Sequence, residues 1–192
     1  MEMKLCENVI YYAGSRAVLQ DICLTLTDPV TAVCGETGAG KSTLCDVLMG
    51  IRKPSHGTLT VPGRVSCVSR HAAPPEEWTL SRAMKFAAPS LTDDLKARLL
   101  SELDLMHDTG LRLKAMTAEK RALSCLACAL AASPELLIYD DAFTGLYGKQ
   151  EMLTKMCGLT RELGLPLLML TSQPGDTGLA DRTYRLREGR LL

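Results

Sequence analysis

The 192 residues carry 22 basic and 22 acidic side chains, a hydrophobic fraction of 46%, two Phe and one Trp. That length supports one domain with a sizeable core, and the composition is that of an ordinary soluble globular protein. Balanced charge and few aromatics exclude nucleic acid as the main partner, because they supply neither a basic field nor a stacking platform.

The opening "MEMKLCENVIYY" lacks the charged-then-apolar pattern of a signal segment. No apolar run approaches the roughly 18–20 residues that span a bilayer. The expected location is therefore the cytosol, with any membrane link made through a partner. Eight cysteines are scattered through the chain, at positions 6, 23, 34, 45, 67, 125, 128 and 157. In that setting they read as reduced thiols. Only "CLAC", Cys125 to Cys128, has metal-like spacing. It lacks a second pair and sits in an apolar helical pattern, so buried core thiols are the better reading.

"LCENVIYY" and "VLQDICLTLT" read as strands, with Gly14 and Ser15 at a turn between them. "VTAVC" is a short buried strand that runs into "GETGAGKST", and "LCDVLMG" continues as a helix closed by Gly50. "GTLTV" and "RVSCVS" read as further strands. From "PPEEW" to about Leu113 the pattern is helical, and Ser90 or Thr92 is placed to cap "SLTDDLKARLLSELDL". "TAEKRALSCLACALAAS" is a second strong helix with the stripe Leu123, Leu126, Ala127 and Leu130. Pro134 ends it before the strand "LLIYD". A helix over about 150–163, a strand "PLLMLTS" and the pieces "RTYRL" and "RLL" close the chain. The alternation predicts an α/β fold with a mainly parallel central sheet, an early antiparallel β part and a helical insertion.

"GETGAGKST" fits G-x-x-x-x-G-K-S/T through Gly35, Gly40, Lys41 and Ser42, between a strand and a helix as that motif requires. Glycines let backbone N–H groups curl around an anion, and the helix adds its positive end. Lys41 reaches the β- and γ-phosphates, and the Ser42 hydroxyl ligates Mg²⁺. Asp140 ends a strand expected beside this loop, where its carboxylate would hold the Mg²⁺ shell. Asp141 follows it directly. His56, His71 and His107 share no spacing and read as surface residues.

Together the phosphate loop, "LLIYDDAFTGL" and the helix before it resemble the ATP-binding subunit of ABC transporters over essentially the whole chain, residues 1–192 as one domain with a helical subdomain at about 75–117. The resemblance implies a P-loop fold of the ABC ATPase type, with ATP and Mg²⁺ as ligands. It implies nucleotide contacts from Gly35, Glu36, Thr37, Gly38, Ala39, Gly40, Lys41, Ser42 and Thr43, with Ser42 and Asp140 on the metal. By spacing to Leu19, Tyr12 falls where the family stacks an aromatic ring on adenine.

Several positions depart from the family pattern. The catalytic glutamate is replaced by Asp141, the Q-loop glutamine by Arg70, the switch histidine by Gln173 and the D-loop aspartate by Tyr147. The signature becomes "MTAEK", with Thr117, Ala118, Glu119 and Lys120. Asp is one methylene shorter than Glu, so its carboxylate falls about 1–1.5 Å short of a water placed for Glu. A misplacement of about 1 Å can cost on the order of a hundredfold in rate. Gln173 can hydrogen-bond a phosphate or a water but carries no proton between them. Arg70 cannot ligate Mg²⁺ and is suited instead to a phosphate. Glu119 would repel a triphosphate facing it, with Lys120 as a possible offset. "TAEK" is equally what a well-capped helix start contains.

The resemblance thus leads to an ATP-binding subunit of an ABC transporter with weakened hydrolysis. Asp141 and Gln173 stand at the catalytic positions. The expected partners are a separate membrane permease and a second ATP-binding subunit, on the inner face of the membrane. A homodimeric transporter ATPase and a non-transport ATP-binding regulatory or assembly protein are the rival expectations. No long coiled-coil insertion suggests a DNA-repair relative.

Overall fold

The computed structural model describes residues 2–192. In chain order, β1 (Met3–Ala13), β2 (Arg16–Leu26) and β3 (Val30–Cys34) lead into α1 (Lys41–Leu48). β4 (His56–Leu59) and β5 (Val65–Ser69) follow, then α2 (Leu80–Ala87), α3 (Asp93–Glu102) and α4 (Ala118–Ala131). β6 (Leu136–Asp140), α5 (Lys149–Glu162), β7 (Leu167–Thr171), β8 (Arg182–Arg187) and β9 (Arg190–Leu191) complete the chain.

The strands form two sheets. One is three-stranded and antiparallel, in the order β2-β1-β4, and the other is six-stranded, in the order β5-β6-β7-β3-β8-β9. All neighbours in the larger sheet are parallel except β9. Strands β6 and β7 are almost continuously buried because both faces of the sheet are covered. On one face β1, β2 and α1 pack their Leu, Ile and Val side chains against Val33, Ile138 and Leu168. On the other, α2 to α5 cover Ala32, Leu137, Tyr139 and Met169.

The expected stripe of α4 is buried: Leu123, Leu126, Ala127 and Leu130 all belong to the core. Thr92, not Ser90, caps α3 by accepting the Leu95 N–H. The stretch between "PPEEW" and Leu113 is less helical than its pattern suggests. It holds two α-helices and two short 3₁₀ turns, and α2 stops at Ala87, two residues before Pro89, whose ring cannot continue a helix. The strand ending at Asp140 lies beside the phosphate loop, as expected, although β7 separates β6 from β3, the strand that feeds the loop. This places the end of β7 at the centre of the site.

Candidate nucleotide-binding site

The loop after β3 takes its shape from its glycines. Gly38 and Gly40 have φ of 86° and 111°, a left-handed backbone that other residues rarely adopt. A side chain at Gly35 would put Cβ 2.4 Å from the Leu186 carbonyl oxygen, so the loop can start its turn only with glycine. The loop is tied to its neighbour when the Gly35 N–H donates to the Thr171 carbonyl at 3.1 Å. Gly40 caps α1 without a side-chain bond, which leaves the first N–H groups of the helix for a ligand.

Lys41 is 6% exposed. Its ammonium donates to the carbonyls of Gly35 at 2.7 Å and Glu36 at 3.1 Å, and it lies 4.0 Å from the Asp141 carboxylate. Burial pushes the Asp140 carboxyl upward in pKa, and a hydrogen bond from Ser42 counters this in part. Ser42 and Asp140 line one cleft. Among the described residues no group of three or more His, Cys, Asp or Glu is arranged to hold a metal. A pair of oxygen ligands fits Mg²⁺, which keeps its waters and takes most other contacts from substrate phosphates. Bound there, the ion would neutralise phosphate charge, and Ser42 and Asp140 are the side chains that would hold it.

A cleft of about 320 Å³ brings together Thr37, Gly38, Gly40, Lys41, Ser42, Thr43, Arg70, Asp140 and Asp141. A larger cleft of about 1020 Å³ adjoins it and takes in Gly35, Glu36 and Ala39. Other expected positions lie elsewhere. Tyr12 lines neither cleft and is 44% exposed. Gln173 lines neither and is exposed; its backbone N–H donates to the Thr171 hydroxyl.

Ser172, the residue before Gln173, is placed differently. It follows β7 directly and lines both clefts. His71 and Thr144 also line the smaller cleft, although His71 reads from the sequence as an ordinary surface residue. Nothing local in the sequence marks these three. They meet only because β6 and β7 are adjacent and because Arg70 and His71 leave the end of β5.

Asp141 has a local role that its position alone does not reveal. Its φ of 48° is left-handed, where Asp is among the few tolerated side chains. Its carboxylate accepts the Ser172 N–H at 3.1 and 3.0 Å and the Thr144 hydroxyl at 3.2 Å. Its own N–H donates to the Leu170 carbonyl. The side chain is turned back onto β7.

Thr117, Ala118, Glu119 and Lys120 line neither cleft. Thr117 caps α4 by accepting the Lys120 N–H at 3.3 Å. The Glu119 carboxyl is held below its usual range by its own backbone N–H, then by Thr117 and the Tyr147 backbone. Lys120 does not offset Glu119; its ammonium donates to the buried Asp108 carboxylate at 2.7 Å. Tyr147 is 90% exposed. All eight cysteines are free, with Cys125 and Cys128 in α4. Burial pushes the Cys125 thiol up to about 11 and that of Cys128 up to about 12.

Residues 19–144 match the ABC transporter family. The chain is 28% identical over 194 residues to the molybdenum import ATP-binding protein of Methylococcus capsulatus, covering 90% of this chain and 54% of that protein. It is 30% identical over 155 residues to an ABC transporter ATP-binding/permease protein of Mycobacterium tuberculosis, covering 69% of this chain but only 18% of that one. It therefore spans about half or less of the length of these two relatives. Among solved structures, an ATP-binding cassette of an ABC transporter superposes with a TM-score of 0.87 at 18% identity, covering 100% of this chain and 90% of the other. A chain from Clostridium perfringens, part of the ABC transporter complex cbiONQ, gives 0.85 at 21%, with coverage of 98% and 86%. These likenesses show the fold. No helix among the described residues is long and apolar enough to cross a membrane. With the family match over 19–144 and a glycine-shaped phosphate loop facing Ser42 and Asp140, the chain belongs to the ABC transporter family as an ATP-binding domain of the kind that binds ATP with Mg²⁺.

Proposed function

We propose that this chain is the ATP-binding subunit of an ABC transporter, keeping ATP binding and hydrolysing ATP slowly. The binding half rests on the phosphate loop, with contacts from residues 35–43, Arg70 on a phosphate, and Ser42 and Asp140 on Mg²⁺. The weakened half rests on one observation. The Asp141 carboxylate, at the position of the family's base, is occupied by the Ser172 N–H and the Thr144 hydroxyl. A carboxylate held this way and shortened by a methylene is a poor acceptor for a proton from water. Ser172 and Gln173 supply no imidazole beside it.

Transport as the setting is supported by relatives named as import ATP-binding proteins. The partners in this reading are a membrane permease and a second, more competent ATP-binding subunit. Residues 75–117 form the helical subdomain, and its permease contact lies near Arg70 and α2. Phe86 there is 74% exposed. It stands edge-on to Trp78 at 5.0 Å, with Arg82 over the Trp78 ring at 4.6 Å. An exposed apolar side chain beside a stacked arginine suits a protein partner.

The test is co-purification of the tagged chain from detergent-solubilised membranes of its own organism. A co-eluting permease that is lost with Phe86→Glu is the expected result. Recovery of the wild type with soluble proteins alone would favour a regulatory or assembly role instead.

A further inference from the structure

Two thiols meet beside the phosphate loop. Cys45 is on α1, one turn beyond Ser42, and Cys67 is on β5, three residues before Arg70. Their sulfurs are 3.5 Å apart. Cys45 is buried, and Cys67 is half-buried. The reason for this asymmetry is topological, since β5 is the edge strand of the six-stranded sheet. Both side chains point to the sheet face that α1 covers. Neither takes part in the site described above.

We propose that Cys45 and Cys67 form a reversible oxidation site, whose disulfide clamps α1 to the edge strand and weakens nucleotide binding. Bonding brings the sulfurs from 3.5 Å to about 2.05 Å. The oxidant is hydrogen peroxide, which is small enough to reach a half-buried thiol. The Cys67 sulfur attacks the peroxide, the O–O bond breaks, and Cys67 becomes a sulfenic acid as one water leaves. The Cys45 sulfur then attacks the Cys67 sulfur, the S–O bond breaks, and a second water leaves. Two thiols lose two protons and two electrons, and one peroxide becomes two waters. A dithiol reductant reverses the bond by exchange.

The consequence follows from where the clamp sits. Lys41 and Ser42 begin the helix that Cys45 belongs to, and Arg70 follows the strand that holds Cys67. Drawing helix and strand together displaces these groups against Asp140. A shift of about 1 Å at such a site is costly.

The test treats the whole purified chain with hydrogen peroxide, blocks remaining thiols, and maps peptides without reduction. Mg-ATP affinity is measured calorimetrically on the same samples. The expected result is a Cys45–Cys67 linked peptide that disappears with dithiothreitol. Affinity is expected to fall on the order of tenfold while the link is present, and to recover on reduction. Cys67→Ala should form no link and keep its affinity through peroxide. The peptide map needs no nucleotide, so it separates failure of this site from failure of the ATP-binding reading. Oxidation of Cys67 to sulfinic acid without a link, links to other cysteines instead, or a complete link with unchanged affinity would overturn the proposal.

Discussion

The Ser172 backbone N–H donates to both carboxylate oxygens of Asp141, at 3.1 and 3.0 Å. This one donor joins the loop after β6 to the end of β7, and β7 in turn holds the phosphate loop through the Thr171 carbonyl and the Gly35 N–H. Asp141 is therefore a latch between the loops that follow β6 and β7.

Removing the latch should cost stability. Asp141→Ala leaves the Ser172 N–H and the Thr144 hydroxyl without their acceptor. An unsatisfied polar group of this kind costs about 1–3 kcal/mol. Chemical denaturation should show the loss as a lower midpoint with an unchanged slope. A variant as stable as the wild type would mean that water replaces the carboxylate freely.

Lys41→Ala should weaken Mg-ATP binding by on the order of ten- to a hundredfold, the value of a charge-assisted hydrogen bond. Calorimetry is the direct measure. Equal affinities would remove Lys41, and with it the buried ammonium held by Gly35 and Glu36, from the binding site.

The position of Ser172 makes a sharper comparison possible. Asp141→Glu combined with Ser172→His should raise ATP turnover, because it lengthens the carboxylate and adds an imidazole at two positions that line the smaller cleft. Asp141→Glu combined with Gln173→His should raise it less, because Gln173 lines neither cleft. Phosphate-release assays on the two double variants decide between the positions.

Those two residues also mark the limit of what the sequence carries. The phosphate loop is legible because glycine spacing, lysine and flanking elements are all local. The core of α4 is legible because Leu123, Leu126, Ala127 and Leu130 repeat at the helical period. Which of Ser172 and Gln173 faces the cleft depends on where β7 ends, and element ends are the least determined feature of a pattern. The hold of Ser172 on Asp141 spans 31 positions and depends on β6 lying beside β7. Strand order across crossovers is a tertiary outcome, which is also why β7 intervenes between β6 and β3. Lys120 shows a similar limit. It stands next to Glu119 in sequence, yet its partner is Asp108 on a separate 3₁₀ turn.

Glu119 bears on pairing. In a symmetric ATP sandwich of the family type it would face a triphosphate, and like charges oppose closure. Its own backbone N–H and the Thr117 side chain hold its carboxyl below the usual carboxylate range. Glu119→Gly with Ala118→Gly should therefore promote ATP-dependent self-association. Analytical ultracentrifugation with Mg-ATP, in an Asp141→Asn background, reads this directly. A tight homodimer without the glycine substitutions would contradict it.

The most direct test is a single phosphate-release measurement on the wild-type chain at saturating Mg-ATP, with binding verified in the same sample. Enzymes ordinarily turn over at about 1 s⁻¹ or faster, and a misplaced base costs on the order of a hundredfold. Bound ATP and turnover below about 0.01 s⁻¹ are expected. Turnover at or above about 1 s⁻¹ would contradict this, because a carboxylate latched to Ser172 would then be serving as a competent base.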